Sequence, residues 1–434
     1  MKTLTFSTQI NAPKERVWNT LWDDVTYRLW TSVFCEGSRA KTDWQEGSKV
    51  LFVDGKGEGM VSKIARLIPF EFMSFQHLGI IKDGVEDFAT AEAKGWAGAL
   101  ENYSLQPNNG GIELVVTIAP DDNFAGYFEE TFPKALQQVK ALAEQQKITP
   151  FLWFDQQAEE AMNLYVSVFP NSTAQTVARN GGAVLTASFS LNGQAFVALN
   201  GGPQFKINPS ISFYTICETE AEVDTVWQTL VEGGQILMPL DKYAWSEKYG
   251  WLEDRFGVSW QITLGEIQDL GQKFTPALLF VGEQQGRAEE ALNFYSSIFK
   301  HSSTKLISRY GAGGLDPEGT VNHAQFKLDG QGFIAMDSAM PHAFHFNEAV
   351  SFVINCDTQE DIDYYWNKLI EGGGTEGQCG WLKDKFGVSW QVVPPVLGGM
   401  LGSTDPGKSQ RVMQAMLQMK KLDIARLKKA FATA

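Results

Sequence analysis

The chain repeats itself, and that repeat constrains its architecture more than any other feature. Ala158-Glu-Glu-Ala-Met-Asn-Leu-Tyr165 returns as Ala288-Glu-Glu-Ala-Leu-Asn-Phe-Tyr295, 130 positions later. Trp251-Leu-Glu-Asp-Arg-Phe-Gly-Val-Ser-Trp-Gln261 returns as Trp381-Leu-Lys-Asp-Lys-Phe-Gly-Val-Ser-Trp-Gln391 at the same offset of 130. Lys147-Ile-Thr-Pro150 likewise returns as Lys273-Phe-Thr-Pro276. The offset drifts between these anchors, which places insertions in loops, among them residues 241–248. The chain therefore divides into 1–145, a first copy at 147–268 and a second at 273–434.

Each copy reads twice as a strand, a helix and further strands. In the first copy, 148–154 is an apolar strand, and Ala158, Ala161, Met162, Tyr165 and Val168 then recur at helical spacing. Strands at 183–191 and 194–199 follow, joined by Asn192-Gly193, a dipeptide suited to the tightest hairpin turns. The theme restarts with a strand at 211–217 and a helix at 220–231 that carries Val223, Val226, Trp227 and Leu230 on one side. Gly233-Gly234 ends that helix. Strands near 250–253 and 258–264 close the copy. The second copy keeps this order, with Asp329-Gly330 as its hairpin turn.

Residues 1–145 follow another plan. A strand at 4–10 leads into a short helix carrying Val17, Trp18 and Leu21. A strand pair at 98–105 and 112–118 turns at Pro107-Asn108-Asn109-Gly110. A helix from about 123 to 145 then sets Phe124, Phe128, Phe132, Leu136 and Val139 along one side. Such a sheet and helix either enclose a cavity or share a filled core.

The 434 residues carry a net charge of −15, which argues against a nucleic-acid partner, because phosphate binding relies on clustered Lys and Arg. The last 30 residues run the other way, with seven basic residues against two acidic, and predict a basic helix docked on an acidic body. Cys35, Cys217, Cys356 and Cys379 form no CxxC pattern and read as reduced thiols of a cytoplasmic protein. No secretory leader and no run of about 18 apolar residues is found, so no membrane partner is expected.

The two copies resemble the PhnB-like branch of the vicinal oxygen chelate (glyoxalase/bleomycin resistance/dioxygenase) superfamily. The resemblance rests on Ile148-Thr-Pro-Phe-Leu-Trp-Phe154, Leu199-Asn-Gly-Gly-Pro-Gln-Phe205 and Gln378-Cys-Gly-Trp-Leu-Lys-Asp-Lys-Phe-Gly-Val-Ser-Trp-Gln391. Residues 1–145 resemble SRPBCC (START-like, Aha1-type) domains through Ile10-Asn-Ala-Pro-Lys-Glu-Arg-Val-Trp18 and Gly95-Trp-Ala-Gly-Ala-Leu-Glu-Asn-Tyr-Ser-Leu105. These resemblances imply an α+β chain: a helix-grip domain with an apolar cavity, then two vicinal-oxygen-chelate domains of paired βαβββ units. They also imply that the two PhnB-like copies form an intrachain pseudo-dimer.

The superfamily's metal positions, carried over, fall at Pro150 and Pro276, near Ser210 and Ala349, and at Gln261 and Gln391. Prolines and neutral amides are poor anchors for a divalent ion, so neither a metal nor another cofactor is expected. His323, His342 and His345 could form a separate site of the second copy, but in the first copy His323 aligns with Thr186 and His345 with Lys206, so they read as surface or hydrogen-bonded histidines. His77, alone on its strand, reads as structural. Relatives in this branch are also called demethylubiquinone methyltransferases, but a methyl donor needs a glycine-rich turn between strand and helix. Gly55-Lys-Gly-Glu-Gly59 reads as a hairpin instead, and Gly311-Ala-Gly-Gly314 runs into no helix. Glu159-Glu160 and Glu289-Glu290 open helices, where acids suit the macrodipole.

The candidate ligand-binding residues are Trp153, Asn200, Trp260 and Gln261 in the first copy, and His323, Asp337, Trp390 and Gln391 in the second. They mix apolar wall with a few polar groups, as a ligand pocket needs, and a tightly filled core would use the same residues. The sequence thus points to a protein that binds a small apolar or aromatic molecule without a recognisable catalytic set. The alternative is a glyoxalase/dioxygenase-type or PhnB-like enzyme acting on a small aromatic or quinone-like substrate.

Overall fold

A computed structural model describes residues 3–432, apart from 11, 13, 23, 109, 110, 121–123, 145, 181, 301 and 404. The chain separates into two regions, Met1–Gln145 and Gln146–Ala434. Among the described residues the strands form three eight-stranded sheets, one in the first region and two in the second.

The N-terminal region is an antiparallel sheet that curls against helices. Its order runs Leu4–Ile10, Gly111–Ile118, Leu100–Asn108, Phe72–Lys82, Gly59–Ile68, Lys49–Val53, Arg39–Lys41, and the eighth strand, Val85–Asp87, pairs with Phe72–Lys82 off this path. The strand Gly111–Ile118 alternates strictly, with Ile112, Leu114, Val116 and Ile118 buried. That two-residue period turns one face to the helices. The helix Ala125–Ala143 buries Phe132, Leu136 and Val139 against it. The asparagine and glycine expected at the tip of the 100–118 hairpin, residues 109 and 110, lie outside the described residues. The glycine-rich stretch 55–59 joins two antiparallel strands, with Val53 opposite Gly59. It is a hairpin.

The tandem region holds four βαβββ modules. The first has strands Ile148–Phe154, Thr173–Asn180, Ala183–Leu191 and Gln194–Asn200 with helix Ala158–Val168. The second has Ile211–Cys217, Gln235–Tyr243, Ser246–Glu253 and Ser259–Leu264 with helix Glu220–Val231. The third has Phe274–Phe280, Ser303–Arg309, Val321–Leu328 and Gln331–Asp337 with helix Ala288–Ile298. The fourth has Val350–Asn355, Thr375–Glu376, Trp381–Lys383 and Ser389–Val393 with helix Gln359–Ile370. Asn192-Gly193 and Asp329-Gly330 make their turns with positive φ at both residues. That is the geometry a two-residue hairpin demands.

The modules pair across the copies. Modules one and four share a sheet, because Ile148–Phe154 runs antiparallel to Val350–Asn355, with Phe151 opposite Ser351. Modules two and three share the other, with Ser212 opposite Ala277. Each copy therefore gives one half to each sheet. All four modules also feed a single hydrophobic core that includes Tyr165, Trp260, Tyr295 and Trp390.

Two features depart from the sequence reading. The edge strands Thr173–Asn180 and Gln235–Tyr243 carry little apolar alternation, so periodicity does not reveal them. Residues 241–248 are not a loop: they extend a hairpin in which Asp241 faces Tyr249 and Tyr243 faces Ser246. The rings of Tyr243 and Trp245 stack at 5.0 Å to hold that extension. The second copy, which lacks it, puts its C-terminal segment at the matching edge. There the amides of Cys379 and Gly380 donate to the carbonyls of Met419 and Lys420, each at 2.7 Å. The basic tail is docked through buried Val412, Leu422 and Leu427, with Lys421 2.7 Å from Asp363. No helix among the described residues is long and apolar enough to cross a membrane.

Candidate functional site

The N-terminal region contains a cavity of about 280 Å³ between the sheet and its helices. Aromatic rings make its walls. Lys14–Trp22 supplies Trp22, Asp24–Thr31 supplies Tyr27 and Trp30, and the sheet supplies Phe52, Phe75 and Tyr103. Trp22 lies 5.0 Å from Tyr103 and 5.4 Å from Phe75, and Phe52 lies 5.1 Å from Phe75, between ring centroids. Edge-to-face contacts of this kind hold rings in place around a space as well as across a filled core.

One side of the cavity is polar. Glu101 and Tyr103 stand two residues apart on one strand, so they share a face. The Tyr103 hydroxyl donates to Glu101 Oε1 at 2.5 Å. His77, 1% exposed, shares a 2.8 Å hydrogen bond between Nδ1 and the Ser62 hydroxyl. Its Nε2 lies 3.4 Å from Glu101 Oε2, without a hydrogen bond aligned between them. Trp22 Nε1 is also buried without a partner, whereas Trp30 Nε1 donates to the Leu21 carbonyl at 3.1 Å. Burial, and then the negative charge of Glu101, raise the Tyr27 and Tyr103 phenols well above their usual range. Both therefore stay protonated donors.

In the tandem region the repeated Trp-Leu-x-Asp-x-Phe-Gly-Val-Ser-Trp-Gln motif builds a buried carboxylate node twice. One oxygen of Asp254 accepts from Tyr165 Oη at 2.7 Å and Trp260 Nε1 at 2.8 Å. The other accepts from the amides of Phe256 and Val258. Asp384 does the same for Tyr295, Trp390, Phe386 and Val388. Trp260 and Trp390 are accordingly core residues on the helix-side face of their sheets.

Gln261 and Gln391 point to the opposite, concave faces. Gln261 is gripped by the Tyr249 hydroxyl and by Ser212 Oγ, both at 2.8 Å. Gln391 donates to Ser351 Oγ at 3.0 Å, and the position matching Tyr249 is Cys379. Trp153 reaches the same face as Gln391. Its Nε1 donates to the Gly202 carbonyl, and its ring lies 6.1 Å from Trp381, whose strand position pairs with Gln391. His323 shares a face with Gln261 through Tyr214, at 6.2 Å between ring centroids. Burial holds the His323 imidazole below its usual pKa. Part of this second concave face is filled, since Leu270 packs with Ile216, Ala277 and Ile334. Asn200 and Asp337 sit at strand ends and cap helices, accepting from the amides of Ala158 and Ala288 at 2.8 and 3.1 Å. The structure thus joins Trp153 with Gln391 and Gln261 with His323, and sends the other four residues elsewhere.

Neither implied cofactor finds a fitting set of residues. The positions corresponding to metal ligands offer Pro150, Pro276 and two amides already committed to hydroxyls. Among the described residues no three His, Cys, Asp or Glu side chains gather as a metal site. His342 bonds Ser338 Oγ at 3.0 Å and stands apart from His323. Gly55–Gly59 spans a hairpin and 311–314 lies in a loop, so neither stretch offers a methyl donor a strand-to-helix cradle. Three of the four helix-start carboxylates are held in ion pairs: Glu159 with Arg179 at 2.8 Å, Glu289 with Arg309 at 2.7 Å, and Glu290 with Lys385 at 2.8 Å.

Sequence reasoning missed the Glu101, Tyr103 and His77 group. A carboxylate on a strand whose companions on that face are Tyr103 and Leu105 was the available signal. It also missed the two aspartates, although each lies inside a copy of the repeated motif.

A family model described as 3-demethylubiquinone-9 3-methyltransferase matches residues 146–263 and again 272–393. Among solved structures, the chain is similar to a Bacillus cereus PhnB protein described as a candidate 3-demethylubiquinone-9 3-methyltransferase. The two are 46% identical over 28% of this chain and 100% of that one, with a TM-score of 0.27. Protein PA1353 from Pseudomonas aeruginosa is 23% identical over 28% of this chain and 98% of that one, with a TM-score of 0.25. The Aha1 dimer from Colwellia psychrerythraea is 17% identical over 32% of this chain and 94% of that one, with a TM-score of 0.26. No curated protein matches the chain.

Proposed function

We propose, on the premise that the chain belongs to the 3-demethylubiquinone-9 3-methyltransferase family, that it binds small apolar or aromatic molecules and carries out no methyl transfer. In this reading residues 1–145 are an SRPBCC-type helix-grip domain and the principal ligand site. The tandem region is an intrachain pseudo-dimer of vicinal-oxygen-chelate type, acting in the cytoplasm. Its concave faces, at Trp153 with Gln391 and at Gln261 with His323, are secondary sites.

The observation that carries the proposal is the ring-lined cavity of about 280 Å³, two of whose lining residues, Trp22 and His77, each hold a buried ring nitrogen without a hydrogen-bond partner. Packed interiors leave few voids larger than a water molecule. Buried donors and acceptors without partners are rare, since each costs roughly 1–3 kcal/mol. A space that combines both is shaped for an occupant.

The neutral fluorophore N-phenyl-1-naphthylamine tests this reading. Its emission is expected to rise on mixing with the full chain, and the rise is expected to vanish in Cys35→Trp, where an indole fills the cavity from its exposed rim. Equal emission from the wild type and the filled variant would remove the cavity as the binding site.

A further inference from the structure

We infer that the N-terminal cavity takes an organic amine: an aromatic-sized apolar body carrying one protonated nitrogen, held by Glu101. This rests on the reading above, that the cavity binds a small molecule, and adds the chemistry that selects it.

The charge of the lining is one-sided. Asp54, Glu58 and Glu101 line the space, and among the described residues no Lys or Arg does; His77 is the one basic residue among those in the lining. Asp54 Oδ1 is occupied by the amides of Lys56 and Glu58, at 2.8 and 3.0 Å, and those bonds favour its charged form. An anionic head group would therefore meet carboxylates without a guanidinium or ammonium to neutralise it. A fatty-acid carboxylate or a phosphate does not fit.

Glu101 points the other way. A carboxylate offers about four acceptor positions, and Tyr103 fills one of them. The Oε2 atom faces His77 Nε2 at 3.4 Å, and that nitrogen has no hydrogen-bond partner. A carboxylate among aromatic rings is poorly solvated and gains most from a cation. Glu101 keeps part of its side chain exposed to the space, unlike His77, and an ammonium carries three donors with which to meet its carboxylate. Trp22, Tyr27 and Phe75 line the same space, and aromatic rings attract cations at their faces. The volume is about twice that of a cavity of ~150 Å³ that holds one benzene, so the apolar body is of bicyclic size.

Isothermal titration of the full chain with three naphthalenes of matched shape decides the matter. 1-Naphthylmethylamine is expected to bind about tenfold more tightly than 1-naphthalenemethanol, the margin of a charge-assisted hydrogen bond. 1-Naphthoate is expected to bind most weakly. Glu101→Gln is expected to weaken the amine about tenfold and to leave the alcohol within about twofold. An alcohol that binds as well as the amine, or an amine preference that survives Glu101→Gln, overturns the amine assignment and leaves the cavity reading intact. Failure of all three naphthalenes to bind the wild type overturns both. If Glu101→Gln does not fold, the wild-type ranking alone decides.

Discussion

Asp384→Ala is expected to lower the stability of the tandem region by about 4 kcal/mol in chemical denaturation, and Asp254→Ala by a similar amount. Each replacement strands two ring donors and two backbone amides in the core at once. The phenol and indole left behind at Asp384, those of Tyr295 and Trp390, are fully buried. An unsatisfied buried donor costs about 1–3 kcal/mol, and solvent cannot reach most of these. Tyr295→Phe removes only one donor and takes nothing from the others, so it is expected to cost about 1 kcal/mol. A loss for Asp384→Ala no larger than that of Tyr295→Phe would show that the node does not organise the motif.

The same node carries a pH signature. Burial pushes the Asp384 carboxyl up to about 6 against the hydrogen bonds that pull it down. An unfolded aspartate titrates near 4. Between those values the folded chain holds the proton and the unfolded chain does not. This group's contribution is therefore fully present below about pH 4 and is lost as pH rises through about 6, at about 1.4 kcal/mol for each tenfold difference in proton affinity between the folded and unfolded chain. Wild type should accordingly gain stability relative to Asp384→Asn when the pH falls from 7.5 to 4.5. The opposite trend would mean that the hydrogen bonds outweigh burial.

The node also shows what the sequence could and could not disclose. Ala158, Met162 and Tyr165 announce a helix by spacing alone, and Asn192-Gly193 announces its turn, because both signals are local. The aspartate stands inside a conspicuous motif, yet its partner Tyr165 lies 89 residues away. No periodicity links them. The N-terminal cavity is hidden for the same reason. Glu101 and Tyr103 declare a common face, but His77 arrives from another strand and Trp22 from a helix. Trp260 and Gln261 illustrate the strand period directly: neighbours in sequence, they serve opposite faces, one in the core and one on the concave side.

The exchange of modules between copies was the least legible feature, and it leads to the prediction with the largest effect. Both copies carry the same strand pattern, so Ile148–Phe154 could in principle pair with Ile211–Cys217 of its own copy or with a strand of the other. The structure takes the second course, setting Leu152 opposite Val350 and Phe213 opposite Pro276. Both joining strands are buried along nearly their whole length. An isolated first copy, residues 146–271, would bare two central strands as apolar edges, and such edges recruit another chain. Two molecules can satisfy each other by pairing 148–154 of one with 211–217 of the next, which rebuilds both sheets. Light scattering on this fragment is therefore expected to give twice the monomer mass, or aggregate where the exchange fails. Co-expression with residues 272–434 is expected to yield a one-to-one complex instead, because the third and fourth modules supply the native partners. A stable folded monomer of 146–271 would mean that one copy can close on itself, with Ile148–Phe154 paired to Ile211–Cys217.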